Sequence, residues 1–330
     1  MSQNLNSKNI VVTGAAGYIG GITCIELKRK DYNVFGIDRR HTPHLDNYYD
    51  EFYNGDFTDY ESFLLIKRTK PAAIIHCAGT SLVGPSFDIP GIYFNNNVAR
   101  TNLLLNFIKE EIPSTKFIFS SSAAVYGNWS NYPYREFNDT IPVSPYGESK
   151  LMVEKILNWY RQAYNLNYVS LRYFNACGAD QESLHGQEPG SSHIFAKLFD
   201  SALNDTPFTL NGANYCTKDN TCIRDYIHVS DIADAHIKCI DSDTSGIYNL
   251  GTFKSTSNLE CLDYVEQCLN KEIVVNVVPA RKGDPAILIA DPSKFRLTTG
   301  WTAWRTMPMV VSHLKEWYQS NTFKNYNKRS

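Results

Sequence analysis

No run in this chain approaches the roughly 20 consecutive apolar residues that a membrane span needs. Its first ten residues, MSQNLNSKNI, also lack the apolar core of a secretory leader. The expectation is a protein that stays in the cytoplasm. Neither sign of charge is in excess: 32 Lys and Arg stand against 34 Asp and Glu, a net charge of −2. That balance argues against a basic surface built for nucleic acid or an anionic membrane. No two of the eight cysteines form a Cys-x-x-Cys pair, and none combines with histidine at zinc-ligand spacing. They are expected to be reduced, mostly buried small residues, with no disulfide and no metal site. Internal repeats, low-complexity tracts and charge blocks are absent as well. What is present is an ordinary globular composition, 43% hydrophobic and 20% charged over 330 residues, enough for one large domain or two ordinary ones.

The N-terminal half alternates short apolar runs with amphipathic stretches. NIVVTG, NVFGID, AAIIHCAG, KFIFSSSA and YVSLRYFNA read as strands, and their near-continuous apolar character is that of strands buried on both faces. GGITCIELKRK and ARTNLLLNFIKE between them read as helices. Such alternation predicts a parallel sheet with helices on both sides. From about residue 176 the pattern loosens into long polar segments, ADQESLHGQEPGSS and NGANYCTKDNTC, with isolated elements such as IFAKLFDSALN and EIVVNVVPA. The stretch YIHVSDIADAHIKCI…GIYNLG again reads strand–helix–strand. The expected division is a nucleotide-binding domain over 1–175, to which 226–251 returns, and a smaller mixed α/β substrate domain over 176–330, with a cleft between them.

NIVVTGAAGYIGG sets Gly14, Gly17 and Gly20 at three-residue intervals between a strand and a helix. The first permits a tight turn, the second lets the backbone approach a pyrophosphate, and the third lets the helix pack close. The helix N-terminus then offers free N–H groups to the phosphates. Asp38 ends the second strand, 18 residues after Gly20, where a carboxylate accepts both ribose hydroxyls and repels a 2′-phosphate. NAD is therefore favoured over NADP, and a Rossmann-like fold is implied. Arg39 and Arg40 follow at once and pull the other way. Asp56, after the third strand, has two readings: a contact to the adenine edge, or a turn residue.

PYGESK places Tyr146 and Lys150 one helical turn apart, on one face. A phenol with a pKa of about 10 is a poor base at neutral pH. Two positive charges beside it, the Lys150 ammonium and an oxidised nicotinamide, are expected to lower that pKa until it takes a proton from a sugar hydroxyl. FIFSSSAAVYG ends the preceding strand, and Ser122, 24 residues before Tyr146, is the hydroxyl placed to bridge substrate and phenol. Ser120 and Ser121 are expected to do no more than cap a turn.

The glycine loop, SSSAAVYG, SPYGESKLMVE, LRYFNACGA and IRDYIHVSDIADAH together resemble the extended short-chain dehydrogenase/reductase superfamily, and more narrowly its UDP-glucose (UDP-galactose) 4-epimerases. The likeness runs from about residue 8 to about residue 300. It implies a catalytic triad of Ser122, Tyr146 and Lys150. It also implies NAD contacts from Gly14, Gly17, Tyr18, Ile19, Gly20, Asp38, Asp56, Phe57, Cys77, Ala78, Gly79, Asn97, Ser120, Tyr146, Lys150 and Tyr173. On the substrate side it implies Ser122 and Tyr146 at the sugar, Asn175, His193 and Arg224 at the diphosphate, Arg281 and Asp284 at phosphate and uridine ribose, and Leu288 at the sugar wall. Two arginines in separate loops suit a diphosphate, since guanidinium forks bind such anions bidentately. No metal is implied.

The chain departs from the family pattern at Ser81, where many epimerases carry lysine, and at Ala124, where threonine is common. The preferred sugar thus stays open among UDP-glucose/galactose and N-acetylated, uronate or pentose counterparts. A nucleotide-sugar 4,6-dehydratase would need a further acid and base, where this chain has Ala123 and Ala124. A non-catalytic NAD-binding regulator on the same fold is the reading from another class. Finally, the helix from Tyr146 carries Leu151, Met152, Ile156, Leu157, Trp159 and Tyr160, and IYFNNNVARTNLLLNFI is similarly apolar. That is more than one core-facing stripe requires, so a homodimer built on these two helices is expected.

Overall fold

The computed structural model describes residues 8–128, 132–188, 190–281 and 284–327. The first half runs β1 (Asn9–Thr13), α1 (Tyr18–Arg29), β2 (Asn33–Asp38), β3 (Glu51–Asn54), α2 (Tyr60–Thr69), β4 (Ala73–His76), α3 (Val83–Ser86), α4 (Pro90–Tyr93), α5 (Arg100–Glu111), β5 (Lys116–Ser122), α6 (Pro145–Tyr164) and β6 (Tyr168–Tyr173). The second half runs β7 (Asn175–Cys177), α7 (Ile194–Asn204), β8 (Phe208–Asn211), β9 (Ile223–Arg224), β10 (Tyr226–His228), α8 (Val229–Ile240), β11 (Gly246–Leu250), β12 (Thr256–Ser257), α9 (Asn258–Leu269), β13 (Val275–Val278), β14 (Ile287–Leu288), α10 (Ser293–Thr299), α11 (Met307–Gln319) and α12 (Asn321–Asn327).

Seven strands form one parallel sheet in the order β11-β6-β5-β4-β1-β2-β3. Alternate residues of each strand enter opposite cores, as a two-residue period requires. Ile10, Val12, Ile75, Ile118 and Val169 pack on one face with Cys24 and Leu27 of α1 and Ile232 and Ala235 of α8. Val11, Ile74, Phe117 and Phe119 pack on the other with Leu65 and Ile66 of α2, Leu104 and Ile108 of α5, and Val153 and Leu157 of α6. Burial on both faces is why these strands read as unbroken apolar runs. Direction of travel reverses between β1 and β4, which opens the crevice at the carboxyl edge where ligands of such sheets bind.

The second half builds its own core from α7, α9 and α11, with Phe195, Leu198, Val265, Leu314 and Trp317 buried in it. A capping box starts α9, Ser257 and Glu260 each satisfying the other's backbone N–H. The later chain also packs on the sheet: Phe295 of α10 meets Tyr248 of β11 and Trp301 edge-on, each pair 5.3 Å between ring centroids. The eight cysteines are free thiols, with Cys216 exposed and the others buried or half-buried. Among the described residues, no helix is long and apolar enough to cross a membrane.

Candidate active site

The carboxyl ends of β1, β2, β4, β5 and β6 carry Gly14, Asp38, Cys77, Ser122 and Tyr173 to one edge of the sheet. At Gly14 the backbone turns with φ +71°, and a Cβ there would stand 2.6 Å from the Ala78 nitrogen. No other residue fits that corner without strain. At Gly20 a Cβ would meet the Gly14 carbonyl oxygen at 2.0 Å, so α1 closes onto the loop only because a side chain is missing. Gly17 caps α1 with no side-chain hydrogen bond. The first N–H groups of the helix, those of Tyr18 and Ile19 among them, are thereby left to the cradle. This glycine-lined hollow at a helix N-terminus fits a dinucleotide diphosphate. The Asp38 carboxylate is tied into it, Oδ2 accepting from the Ala16 N–H at 3.1 Å and Oδ1 from the Arg40 N–H at 3.0 Å.

Of the two readings of Asp56, the turn is visible: Oδ1 accepts from the Thr58 N–H at 3.0 Å and from its hydroxyl at 2.6 Å. Arg100 pairs with the other oxygen. Burial pushes this carboxyl up, but the Thr58 and Arg100 partners bring it below its ordinary value. Phe57 is buried edge-on to His76, 4.9 Å between centroids. Beyond β4, Gly79 lies beside Asn97 and Lys150, the Asn97 oxygen 3.0 Å and the Lys150 nitrogen 3.7 Å from where its Cβ would be. Asn97 comes from a π-helical turn, Phe94–Ala99, of a kind that recurs at functional sites. It fastens the loop by accepting from the Thr80 N–H at 2.8 Å and donating to the Thr80 carbonyl at 3.0 Å and the Ser149 hydroxyl at 2.9 Å.

Ser144 caps α6 by accepting from the Gly147 N–H, and Pro145 presets the first turn. Tyr146 therefore sits in that turn with Lys150 one turn on. Lys150 is buried, donates to the Ser120 carbonyl at 2.8 Å, and stands 5.8 Å from the centre of the Tyr146 ring. Burial pushes its ammonium down to about 8. The Ser122 hydroxyl lies close enough to the Tyr146 phenol to lower its pKa, and its oxygen accepts from the Ala124 N–H at 3.1 Å. The expectation that Lys150 lowers the Tyr146 pKa is not met by the chain alone. Burial raises the phenol, the Ser122 hydroxyl lowers it, and the net is upward. The reason is that burial takes the phenolate out of water, which penalises the charged form more than Ser122 favours it.

Ser120 and Ser121 do not cap a turn, contrary to expectation, because both still lie within β5. The Ser120 hydroxyl meets the Tyr173 hydroxyl at 2.9 Å, and Tyr173 meets His236 in turn. Ser121 donates to Glu154 at 2.6 Å.

In the second half, Arg224 and Asp284 meet as an ion pair at 2.5 Å, with the Tyr215 hydroxyl 3.4 Å from the other carboxylate oxygen. Leu288 lies directly across from Arg224 in the β9–β14 pairing and packs, half-buried, against a cluster holding Ala123, Val125 and Leu151. Asn175 donates from its backbone to the Asp225 carbonyl at 2.9 Å. His193 precedes α7 edge-on to Tyr18, 6.2 Å between centroids. Arg281 is exposed, and its charge helps lower the Lys197 ammonium after burial has done so.

Sequence reasoning passed over Asp225, next to Arg224. Fully buried, it accepts from the Thr252 N–H and hydroxyl, the Phe253 N–H and the Ala290 N–H, and so ties β9 to both flanking loops. Nothing in a lone aspartate between short strands advertises that. It also passed over Glu154, whose only signal was a carboxylate one turn beyond Lys150 on the same helix.

A glycine cradle with a strand-end carboxylate, sharing its sheet edge with Ser122, Tyr146 and Lys150, is what a short-chain dehydrogenase/reductase-type enzyme requires. The comparisons narrow that class. The model of the NAD dependent epimerase/dehydratase family matches residues 10–251, and the chain belongs to that family. A UDP-glucose 4-epimerase of Halalkalibacterium halodurans is 38% identical over 321 residues, covering 94% of this chain and 96% of that protein. The structure of a UDP-glucose 4-epimerase from Stenotrophomonas maltophila, with NAD and formylated UDP-arabinopyranose bound, superposes with a TM-score of 0.89 at 30% identity, covering 98% of this chain and 99% of that one. That of the Bifidobacterium longum UDP-glucose 4-epimerase with NAD+ and UDP gives 0.87 at 33%, covering 96% and 99%.

Proposed function

We propose that this chain is an isomerase, an NAD-dependent 4-epimerase of UDP-hexoses of the UDP-glucose/UDP-galactose type, working through a transient 4-keto sugar. The observation that carries this reading is the meeting of Ser122, Tyr146 and Lys150 at the edge that also forms the glycine cradle. NAD would be held by Gly14, Gly17, Tyr18, Ile19 and Gly20 at its diphosphate, by Asp38, Asp56 and Phe57 on the adenosine side, and by Cys77, Ala78, Gly79, Asn97, Ser120 and Tyr173 nearer Lys150. When bound, it would supply the acceptor, and then the donor, for hydride at the sugar C4.

Tyr146 removes the proton of the 4-hydroxyl at its phenolic oxygen and gives it back as the alcohol re-forms. Ser122, whose hydroxyl stands beside that phenol, bridges it to the sugar. Lys150, fixed through the Ser120 carbonyl, keeps a positive charge on the same helix face. Asn175, His193, Arg224, Arg281 and Asp284 hold the UDP while the keto sugar turns about its phosphate link, so binding energy in the nucleotide anchors the reaction. Leu288 forms part of the sugar wall. A dehydratase is disfavoured, because Ala123 and Ala124 cannot transfer the protons that elimination of water needs.

The experiment is a panel of UDP-sugars with purified protein, the epimers separated after incubation. Interconversion of UDP-glucose and UDP-galactose is expected; its absence, with another sugar turned over, would reassign the substrate. Release of NAD on denaturing the protein is expected in the same preparation.

The reading extends to a cytoplasmic homodimer serving galactose metabolism. Leu151 and Leu157 are buried within the chain and Met152 and Ile156 half-buried, so they lend a partner surface less than the sequence implied. Leu103 on α5 and Trp159 on α6 remain 53% and 66% exposed, and Ile89 and Ile92 are exposed as well. Light scattering at micromolar concentration should report twice 37.5 kDa; a monomer would rule the dimer out.

A further inference from the structure

Asp38 and Arg40 make opposite demands on a dinucleotide. A carboxylate at the end of β2 repels a 2′-phosphate, whereas an arginine close by accepts one. Arg40 is well placed for the second task. Its backbone N–H is bonded to Asp38 at 3.0 Å, and its guanidinium stands 4.0 Å from where a Cβ on Gly17 would be. The cation thus lies between the strand-end carboxylate and the diphosphate turn. It is not free. Glu188 grips it with both oxygens, one accepting from Nη1 at 3.0 Å and the other 2.8 Å from Nη2. This is the fork geometry in which arginine binds carboxylates and phosphates alike.

Glu188 ends a segment from the second half of the chain that is fastened along α1. The Tyr18 hydroxyl donates to the Gly178 carbonyl at 2.6 Å, and Arg29 grips Asp180 at 2.5 and 3.2 Å. His185 follows, its Nε2 3.2 Å from the Gly17 carbonyl and its Nδ1 3.0 Å from Nε2 of His44. A carbonyl only accepts, so Nε2 of His185 is the donor and its Nδ1 accepts the proton of His44, which fixes both tautomers. Burial pushes His185 down to about 3, so the ring stays neutral. Residues 178–188 are therefore a strap along α1, held at Arg29 and at the turn before the helix, and Glu188 stands beside Arg40.

We propose that Glu188 is a determinant of dinucleotide specificity: by occupying Arg40, it denies a 2′-phosphate a cation placed to receive it. This rests on the reading of the glycine cradle and Asp38 as the dinucleotide site. The Arg40 and Glu188 side chains are 57% and 34% exposed, so the pair adds little to stability. Its effect is on where a long, mobile guanidinium points.

The test compares the full-length chain with Glu188→Gln and with Glu188→Gln/Arg40→Met. Each is stripped of bound dinucleotide, offered NAD and NADP at equal concentration, desalted and denatured, and the released dinucleotides are counted. Wild type should retain NAD. Glu188→Gln should raise the NADP-to-NAD ratio about tenfold, the worth of one charge-assisted hydrogen bond. Adding Arg40→Met should remove that gain, with the melting temperature little changed in either variant. An unchanged ratio in Glu188→Gln with NAD retention intact overturns the proposal, as does a rise that survives Arg40→Met. Retention of neither dinucleotide by the wild type instead removes the reading beneath it, and the proposal with it.

Discussion

Replacing Glu154 with glutamine should cost the fold about 3–5 kcal/mol, the usual loss when one partner of a buried ion pair is removed. Glu154 sits on α6, one turn beyond Lys150. Its Oε1 accepts from Ser121 at 2.6 Å, Ser170 at 3.1 Å and Arg172 Nε at 3.0 Å, and Oε2 accepts from Arg172 Nη2 at 2.7 Å. The two charged side chains are 1% and 4% exposed. Arg172 cannot lose its proton, so the neutral amide leaves a buried cation without a counter-charge. With a melting entropy of about 2.1 cal/mol/K per residue, the melting temperature should drop by roughly 4–7 °C. Calorimetry in saturating NAD measures it. The double variant Glu154→Gln/Arg172→Met removes both charges and should recover most of the loss. Turnover should fall as well in the single variant, because the same carboxylate pins Ser121, next to the Ser120 carbonyl that holds Lys150. A drop below 1 °C, or a double variant no better than the single, would refute the reasoning.

Tyr146→Phe should lower turnover by roughly 10²–10⁴-fold, the worth of a positioned acid–base group, and leave the melting temperature almost unchanged; a loss under tenfold would show that another group takes the proton. Lys150→Met should raise the thermal stability of the dinucleotide-free chain at pH 7 while abolishing activity. The sign follows from a folded-state pKa pushed down from 10.5 to about 8: between these values the unfolded chain holds the extra proton, so wild-type stability climbs with pH and the variant's advantage fades. An advantage that stays constant from pH 7 to 10 would contradict this. Leu288→Tyr should cut turnover of N-acetylated UDP-sugars before that of plain UDP-hexoses; equal losses on both would mean the side chain only packs.

The parallel sheet was legible because strands buried on both faces must be apolar at every position, and that pattern is written in runs of four to seven residues. The α6 start at Ser144 and Pro145 was equally local, since capping and a preset φ need no distant partner. The glycine loop could be read because its spacing between strand and helix is local, although it is Cys77 and Ala78, beyond β4, that a Cβ on Gly14 would meet. Ser120 and Ser121 were misjudged because a hydroxyl at the end of a strand looks the same in sequence whether it caps a turn or donates into the core. Their partners, Tyr173 and Glu154, are 53 and 33 residues away.

By itself, then, the sequence determined the layered architecture, the sheet edge at which chemistry is possible, and the residue types gathered there, since each follows from short-range periodicity and backbone sterics. Only the tertiary structure decided what those residues experience. It raised the Tyr146 phenol by burial, engaged the Lys150 proton on Ser120, sealed Asp225 among four donors, and joined Arg40 to Glu188 across 148 residues. A charge is set by its solvation and its partners, and both are supplied by chain segments that no local window contains.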